Sequence, residues 1–157
     1  MNHETRSFIE EILRTSNDLT FATVRPDGYP QANTVSYASD GLTLYFGTGR
    51  ESQKVKNLRF TNKVSATVDL PYSDWSEIRS LSLGGVAEII GPADAGAERA
   101  GQVLIGKFPK VRELLPLMDR ASMVFIKIVP EVFSVLDYRK SFGHTELVPV
   151  HRVDVAA

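Results

Sequence analysis

The chain has 157 residues, 43% of them hydrophobic and 24% charged, and its 18 Lys and Arg nearly balance 19 Asp and Glu for a net charge of −1. That size and composition fit one domain with a full core, spanning residues 1–157, and the missing basic excess argues against a nucleic-acid binder. With no cysteine, disulfides, thiolate metal sites and Cys nucleophiles are excluded. The polar start carries no signal-peptide core, and no stretch approaches the ~20 apolar residues of a membrane span, so a soluble cytoplasmic protein is expected.

Residues 5–15 place Phe8, Ile9, Ile12 and Leu13 on one face of a helix, with Glu10, Glu11 and Arg14 opposite. Residues 19–25 read as a strand, Pro26-Asp27-Gly28 as a turn, residues 32–38 as a second strand, and residues 42–47, after Ser39-Asp40-Gly41, as a third. A helix opening on Ser52, Gln53 and Lys54 follows, with Val55 and Leu58 on its buried side. Val64, Ala66 and Val68 alternate with polar residues in a half-exposed strand, and residues 71–75 form a loop.

Residues 78–90 read as a long strand whose Gly84-Gly85 pair marks a bulge or a close backbone approach. Two helices are expected at residues 94–105 and 110–119. The second carries Val111, Leu114, Leu115 and Met118 and is open to shortening at Pro116. Strands at 123–129 and 132–136, separated by Pro130, precede a polar, irregular tail from Tyr138. About six strands joined by short turns, with peripheral helices, predict a mainly β (α+β) fold, a six-stranded antiparallel barrel.

The chemistry concentrates in residues 44–58. A strand runs through a Gly-containing turn into a helix whose first residues are Ser52, Gln53 and Lys54, with Arg50 just before them. A helix N-terminus offers unpaired N–H groups and the positive end of a dipole, so a hydroxyl and two cations there make a candidate phosphate cradle. The competing reading is an ordinary N-cap beside a solvated basic face. Gly47, Gly49 and Ser52 match a dinucleotide fingerprint poorly, because the third glycine is missing and the preceding strands are hairpin-linked.

Three histidines, His3, His144 and His151, show no metal-ligand spacing, and no metal site is expected. His144, in a Phe-Gly-His loop, is either a pocket residue or a hydrogen-bonded loop residue. No Ser-His-Asp arrangement stands out. Trp75 is either a platform for a planar ligand or a cap on a core or interface. Glu88 is expected to face solvent. Arg79 and Ser80 either meet a polar ligand edge or face outward from an amphipathic strand.

In order and spacing, several segments resemble the pyridoxamine-phosphate-oxidase-like family of FMN-binding split β-barrels. They are Phe21-Ala-Thr-Val24, Asp27-Gly-Tyr-Pro30, Leu44-Tyr-Phe-Gly-Thr48, Ser52-Gln-Lys54, Asn57-Leu58, Val64-Ser-Ala-Thr-Val68 and Gly85-Val-Ala-Glu88. The resemblance spans roughly residues 8–148 and is to the general-stress-type and uncharacterised branch. It implies a homodimer with two FMN sites at the interface and an oxidoreductase acting on a small molecule.

The resemblance assigns Thr48, Ser52, Gln53 and Lys54 to the FMN phosphate. Gln53 stands where the oxidase has Arg, and Arg50 is the candidate to replace that charge. Ala32, Asn33, Thr34 and Val35 fall on the strand flanking the isoalloxazine, with Ala32 where the oxidase has Arg. Ser80 falls near a flavin-contacting position contributed by the partner subunit. The C-terminal Trp and Arg-rich segment of the oxidase are missing, which disfavours vitamin B6 oxidation. The same superfamily offers three alternatives: a haem protein with His144 as axial ligand, a reductase using the deazaflavin F420, or a non-catalytic flavin-binding module.

Overall fold

The structure, a computed structural model, describes residues 1–117 and 119–155. Helix α1 (His3–Thr15) is capped by Asn2, whose side chain accepts from the Thr5 N–H, and its stripe buries Ile9, Ile12 and Leu13. Strands β1 (Asp18–Val24), β2 (Pro30–Ser36), β3 (Ala38–Asp40) and β4 (Thr43–Gly49) follow, then helix α2 (Gln53–Phe60), β5 (Lys63–Asp69) and β6 (Arg79–Ile90). Helices α3 (Ala97–Lys107) and α4 (Val111–Leu114), strands β7 (Met123–Asp137) and β8 (Thr145–Pro149), and the short helix α5 (Arg152–Val155) complete the described elements. The second expected helix is cut to α4 and a 3₁₀ turn over Leu115–Leu117, in keeping with the missing N–H of Pro116; Met118, expected on that helix, lies outside the described residues.

Eight antiparallel strands, rather than six, form one sheet in the order β2-β1-β5-β6-β7-β4-β3, with β8 beside β7. The architecture is the expected split barrel with peripheral helices. Three differences from the sequence reading have local causes. The second hairpin strand ends at Ser36, because the ring of the next residue, Tyr37, turns into the core while its hydroxyl donates to Leu13 O at 2.8 Å; β3 starts after it. Pro130 does not divide the next-to-last strand. It sits opposite Gly85, where the register shifts, so the bulge absorbs the missing donor and β7 runs unbroken. The tail is not irregular throughout, because residues 145–149 alternate exposed and half-buried positions and pair with residues 132–136 of β7.

Inward-facing residues fill the barrel: Leu19 and Phe21, Leu44 and Phe46, Ala66 and Val68, Leu81 and Leu83, Ile126, Ile128 and Phe133. Phe21 and Phe46 meet edge-on at 5.0 Å between ring centres. Helix α1 packs against β3, β5 and β6. Its C-terminal end is held by Lys107 Nζ, which donates to Leu13 O and Ser16 O and lies 4.3 Å from the Tyr37 ring centre. Helix α3 covers a second cluster of Tyr45, Ile90 and Ala100. Glu88 faces solvent as expected, 3.6 Å from Lys127 Nζ.

The opposite face of the sheet has no such cover from the described elements. Register places Thr34, Thr20, Thr67, Ser82, Ser134 and Leu147 in one row across six strands, and Ala32, Ala22, Ser65, Gly84, Val132 and Pro149 in the next. All twelve are exposed or half-exposed, and none is charged.

At the far end of β7, Asp137 is buried and takes a bidentate grip from Arg139, at 2.8 Å from Nε and 2.9 Å from Nη2. The Arg139 guanidinium lies 5.3 Å from the Phe8 ring centre, which ties the hairpin to α1. Hydrogen bonding from Arg139 holds the Asp137 carboxyl below the ordinary 3.8. A lowered pKa gives stability that is present above the unfolded value and disappears as pH falls through the folded one. Thermal unfolding followed across pH should therefore show stability falling below about pH 4, and Asp137→Asn should flatten that acid limb.

Gly85 supplies a second test. A Cβ built there would lie 2.4 Å from Val129 O and 2.9 Å from Pro130 Cα, both backbone atoms, whereas one at Gly84 would meet only Val132 Cγ1 at 3.4 Å. Gly85→Ala should cost about 2–3 kcal/mol by forcing the two strands apart. Gly84→Ala should cost much less in the same chemical denaturation experiment.

Candidate functional site

Strand β4 delivers the chain to the mouth of the barrel. There the Arg50 N–H donates to Ser122 O at 2.8 Å, which fixes the turn against the segment entering β7. Ser52 is the N-cap of α2. Its carbonyl accepts from the Val55 and Lys56 N–H groups, while its hydroxyl makes no capping bond. The N–H groups of Gln53 and Lys54 lack intrahelical acceptors and face outward from the helix end.

Three expected residues converge here. Lys54 Nζ donates to Thr48 Oγ1 at 3.4 Å, and Thr48 Oγ1 donates to Ser52 Oγ at 3.4 Å. Both contacts are long and weak, so they are readily exchanged for a better acceptor. The donor chain ends on the Ser52 hydroxyl hydrogen. With the two N–H groups and the ammonium, this set suits the several acceptor oxygens of a phosphate dianion.

Gln53 and Arg50 are placed differently. Gln53 Nε2 donates to Asn57 Oδ1 at 2.9 Å, so its side chain lies along the helix. Arg50 lines a cavity of about 390 Å³ together with Arg59, Ile89, Val124 and residues 91–94. Neither Ser52 nor Lys54 lines that cavity.

In the sequence Asn57 stands only as one member of a family-like segment, Asn57-Leu58, and its importance emerges from packing. It is 0% exposed. Its Nδ2 donates to Thr23 Oγ1 of β1 and to Gln31 Oε1 of β2, each at 2.9 Å, while its Oδ1 accepts from Gln53. The buried amide is thus satisfied on both sides. Through it α2 is fastened to β1 and β2. The sequence signal was a lone amide on the buried face of a helix otherwise occupied by Val55 and Leu58.

Ala32, Asn33, Thr34 and Val35 all lie on β2, the edge strand. Ala32 and Thr34 belong to the uncharged outer rows, whereas Asn33 pairs with Phe21 and Val35 with Leu19, on the inward side. The Asn57–Gln31 bond brings the start of this strand to α2. Ser80 is half-buried near the start of β6. The other end of β6, where Ile90 pairs with Phe125 next to Val124, the partner of Thr48, is about 30 Å away at the usual rise per residue. Within one chain, Ser80 is therefore not gathered with Thr48, Ser52 and Lys54.

His144 lies between β7 and β8, its Nε2 2.6 Å from Glu146 Oε1, and Lys140 Nζ donates to the same oxygen at 3.0 Å. These two partners hold the Glu146 carboxyl below its ordinary value, the His144 bond being the larger cause. Trp75, in a 3₁₀ turn, does not cap the core. It is exposed and stacks on Phe142 with ring centres 6.1 Å apart. Among the described residues no group of three or more His, Asp or Glu side chains forms a metal site, and no helix is long and apolar enough to cross a membrane.

No curated protein matches the chain. Among solved structures it is similar to a conserved hypothetical protein from Mycobacterium tuberculosis, with 24% identity, a TM-score of 0.73 and coverage of 98% of this chain and 94% of that one. A heme binding protein from Mycobacterium smegmatis has 18% identity and a TM-score of 0.77, over 95% of this chain and 59% of that one. An F420 reductase has 32% identity and a TM-score of 0.61, over 80% of this chain and 94% of that one. The profile of the family described as Pyridoxamine 5'-phosphate oxidase matches residues 5–132. By that match and by its split-barrel topology, this chain belongs to the pyridoxamine 5'-phosphate oxidase family.

Proposed function

We propose that the chain is an FMN-binding oxidoreductase that acts on a small molecule as a homodimer. The observation that carries the reading is the convergence of Thr48, Ser52 and Lys54 on the N-terminus of α2. There a hydroxyl, an ammonium and two unpaired N–H groups match a phosphate ester. FMN, when bound, supplies the electron transfer; the protein supplies binding, orientation and electrostatics. Ser52, Lys54 and the N–H groups of Gln53 and Lys54 would hold the phosphate, and the backbone of residues 33–35 would flank the ring. Lys54 contributes the only side-chain charge in this cradle, because Gln53 is neutral and bonded to Asn57.

The dimer is supported by the two uncharged rows on the sheet. A solvated sheet face ordinarily carries charged side chains, whereas the centre of an interface is depleted in them. A second copy packed on this face would cover β2 and the Ser80 end of β6. That arrangement would let Ser80 of one protomer approach the α2 cradle of the other.

A deazaflavin is the second reading. It is favoured by the 32% identity to an F420 reductase and by neutral residues at Ala32 and Gln53, where the resemblance expects cations.

The absorption spectrum of the purified protein, recorded after gel filtration with FMN and with F420, separates these readings. Retained flavin bands support FMN, a retained deazaflavin band supports F420, and a Soret band would point to haem and His144. Lys54→Glu should weaken FMN binding by at least about tenfold; unchanged affinity would remove the phosphate from α2. Thr67→Arg, at the middle of the uncharged row, should convert a dimer to a monomer by light scattering. Retained flavin in that monomer would show that the site lies within one subunit.

A further inference from the structure

We infer that Arg50 and Arg59 form an anion-binding subsite, separate from the Thr48–Ser52–Lys54 cluster, that takes a phosphate or carboxylate group of a small ligand. The two side chains line one cavity of about 390 Å³ at the mouth of the barrel. Arg50 comes from the turn after β4, and Arg59 from the last turn of α2. Ile89 and Val124 contribute apolar lining to this open depression, and residues 91–94 line the rest.

Three observations point to an anionic ligand. First, Arg50 Nε is buried and has no hydrogen-bond partner among the described residues. Buried donors are nearly always satisfied, so one left over at a cavity wall marks the place for an acceptor. Second, neither guanidinium forms an ion pair among the described residues, so both charges are available to a ligand.

Third, the acidic residue in the lining, Asp94, is directed elsewhere: its Oδ2 accepts from the Gly91 N–H at 2.6 Å, which holds the turn in shape. Two guanidinium groups, Arg50 half-buried and Arg59 exposed, therefore share the lining with one carboxylate, one oxygen of which is engaged by the turn. A guanidinium offers parallel N–H donors that match two oxygens of a carboxylate or phosphate, and an apolar wall strengthens such a bond. The Arg50 backbone is anchored through its N–H to Ser122 O, so little ordering is needed on binding.

Arg59 has a competing structural explanation, since a cation in the last turn of a helix complements the dipole. An isotope-labelled sample separates the two. The assigned Arg50 Nε–Hε resonance is followed by NMR during titration with inorganic phosphate and, separately, with acetate, at constant ionic strength, with and without FMN. A saturable shift of that resonance is expected, with Arg59→Gln weakening it by about tenfold or more and Asp94→Asn strengthening it. Lys54→Gln should leave it unchanged. The anion that saturates at lower concentration identifies the ligand group as phosphate or carboxylate. The proposal is overturned if neither anion gives a saturable shift, or if the response is lost in Lys54→Gln and kept in Arg59→Gln. Neither result depends on whether FMN binds, so this subsite and the flavin reading fail independently.

Discussion

One buried amide organises the mouth of this barrel. Asn57 carries a polar group into a fully buried position, which is costly unless each donor and acceptor is matched. Thr23, Gln31 and Gln53 provide that match from β1, β2 and the first turn of α2. The outcome is geometric. Helix α2 has weak amphipathic character and only eight residues, too few to persist without tertiary support. Held at its centre by Asn57 and by buried Val55 and Leu58, it keeps its N-terminus beside Thr48 and its last turn beside the Arg50 cavity.

That fastening joins two ends of the sheet that are distant in strand order. β4 and β2 are separated by four strands along the sheet path, yet α2 leaves one and bonds to the other. Basic and hydroxyl groups thus collect where the barrel is open, while α1 packs against strands β3, β5 and β6. The uncharged outer rows give the same sheet a second asymmetry. One face is filled by side chains of its own barrel, and the other presents uncharged, mostly small residues on which another surface can lie.

Much of this was legible in the sequence. Apolar residues at helical spacing located α1, strict alternation located β5, and turn chemistry at Gly28 and Gly41, both with positive φ, separated the hairpins. The Ser52-Gln-Lys54 opening of a helix was visible because caps are local. Less legible were features that depend on a distant partner. Gly85 and Pro130 each read as an interruption, and only their pairing across two strands turns both into one bulge. Residues 145–149 lack a strong strand pattern and become β8 because the second half of β7 offers an unpaired edge. Arg50 and Lys54 looked like one basic group four residues apart, but the turn sends them to different surroundings.

By itself the sequence determined the class of fold, the boundaries of its stronger elements and the segment where phosphate chemistry could reside. These follow from period, turns and caps, which act over a few residues. Tertiary structure decided which of those residues meet. It placed Lys54 with Thr48 and Ser52, drew Gln53 to Asn57, put Arg50 and Arg59 in the lining of one cavity, and left Ser80 at the other end of β6. The reason is physical: a side chain's role is set by the groups it must satisfy once buried, and those groups come from strands far apart in the chain.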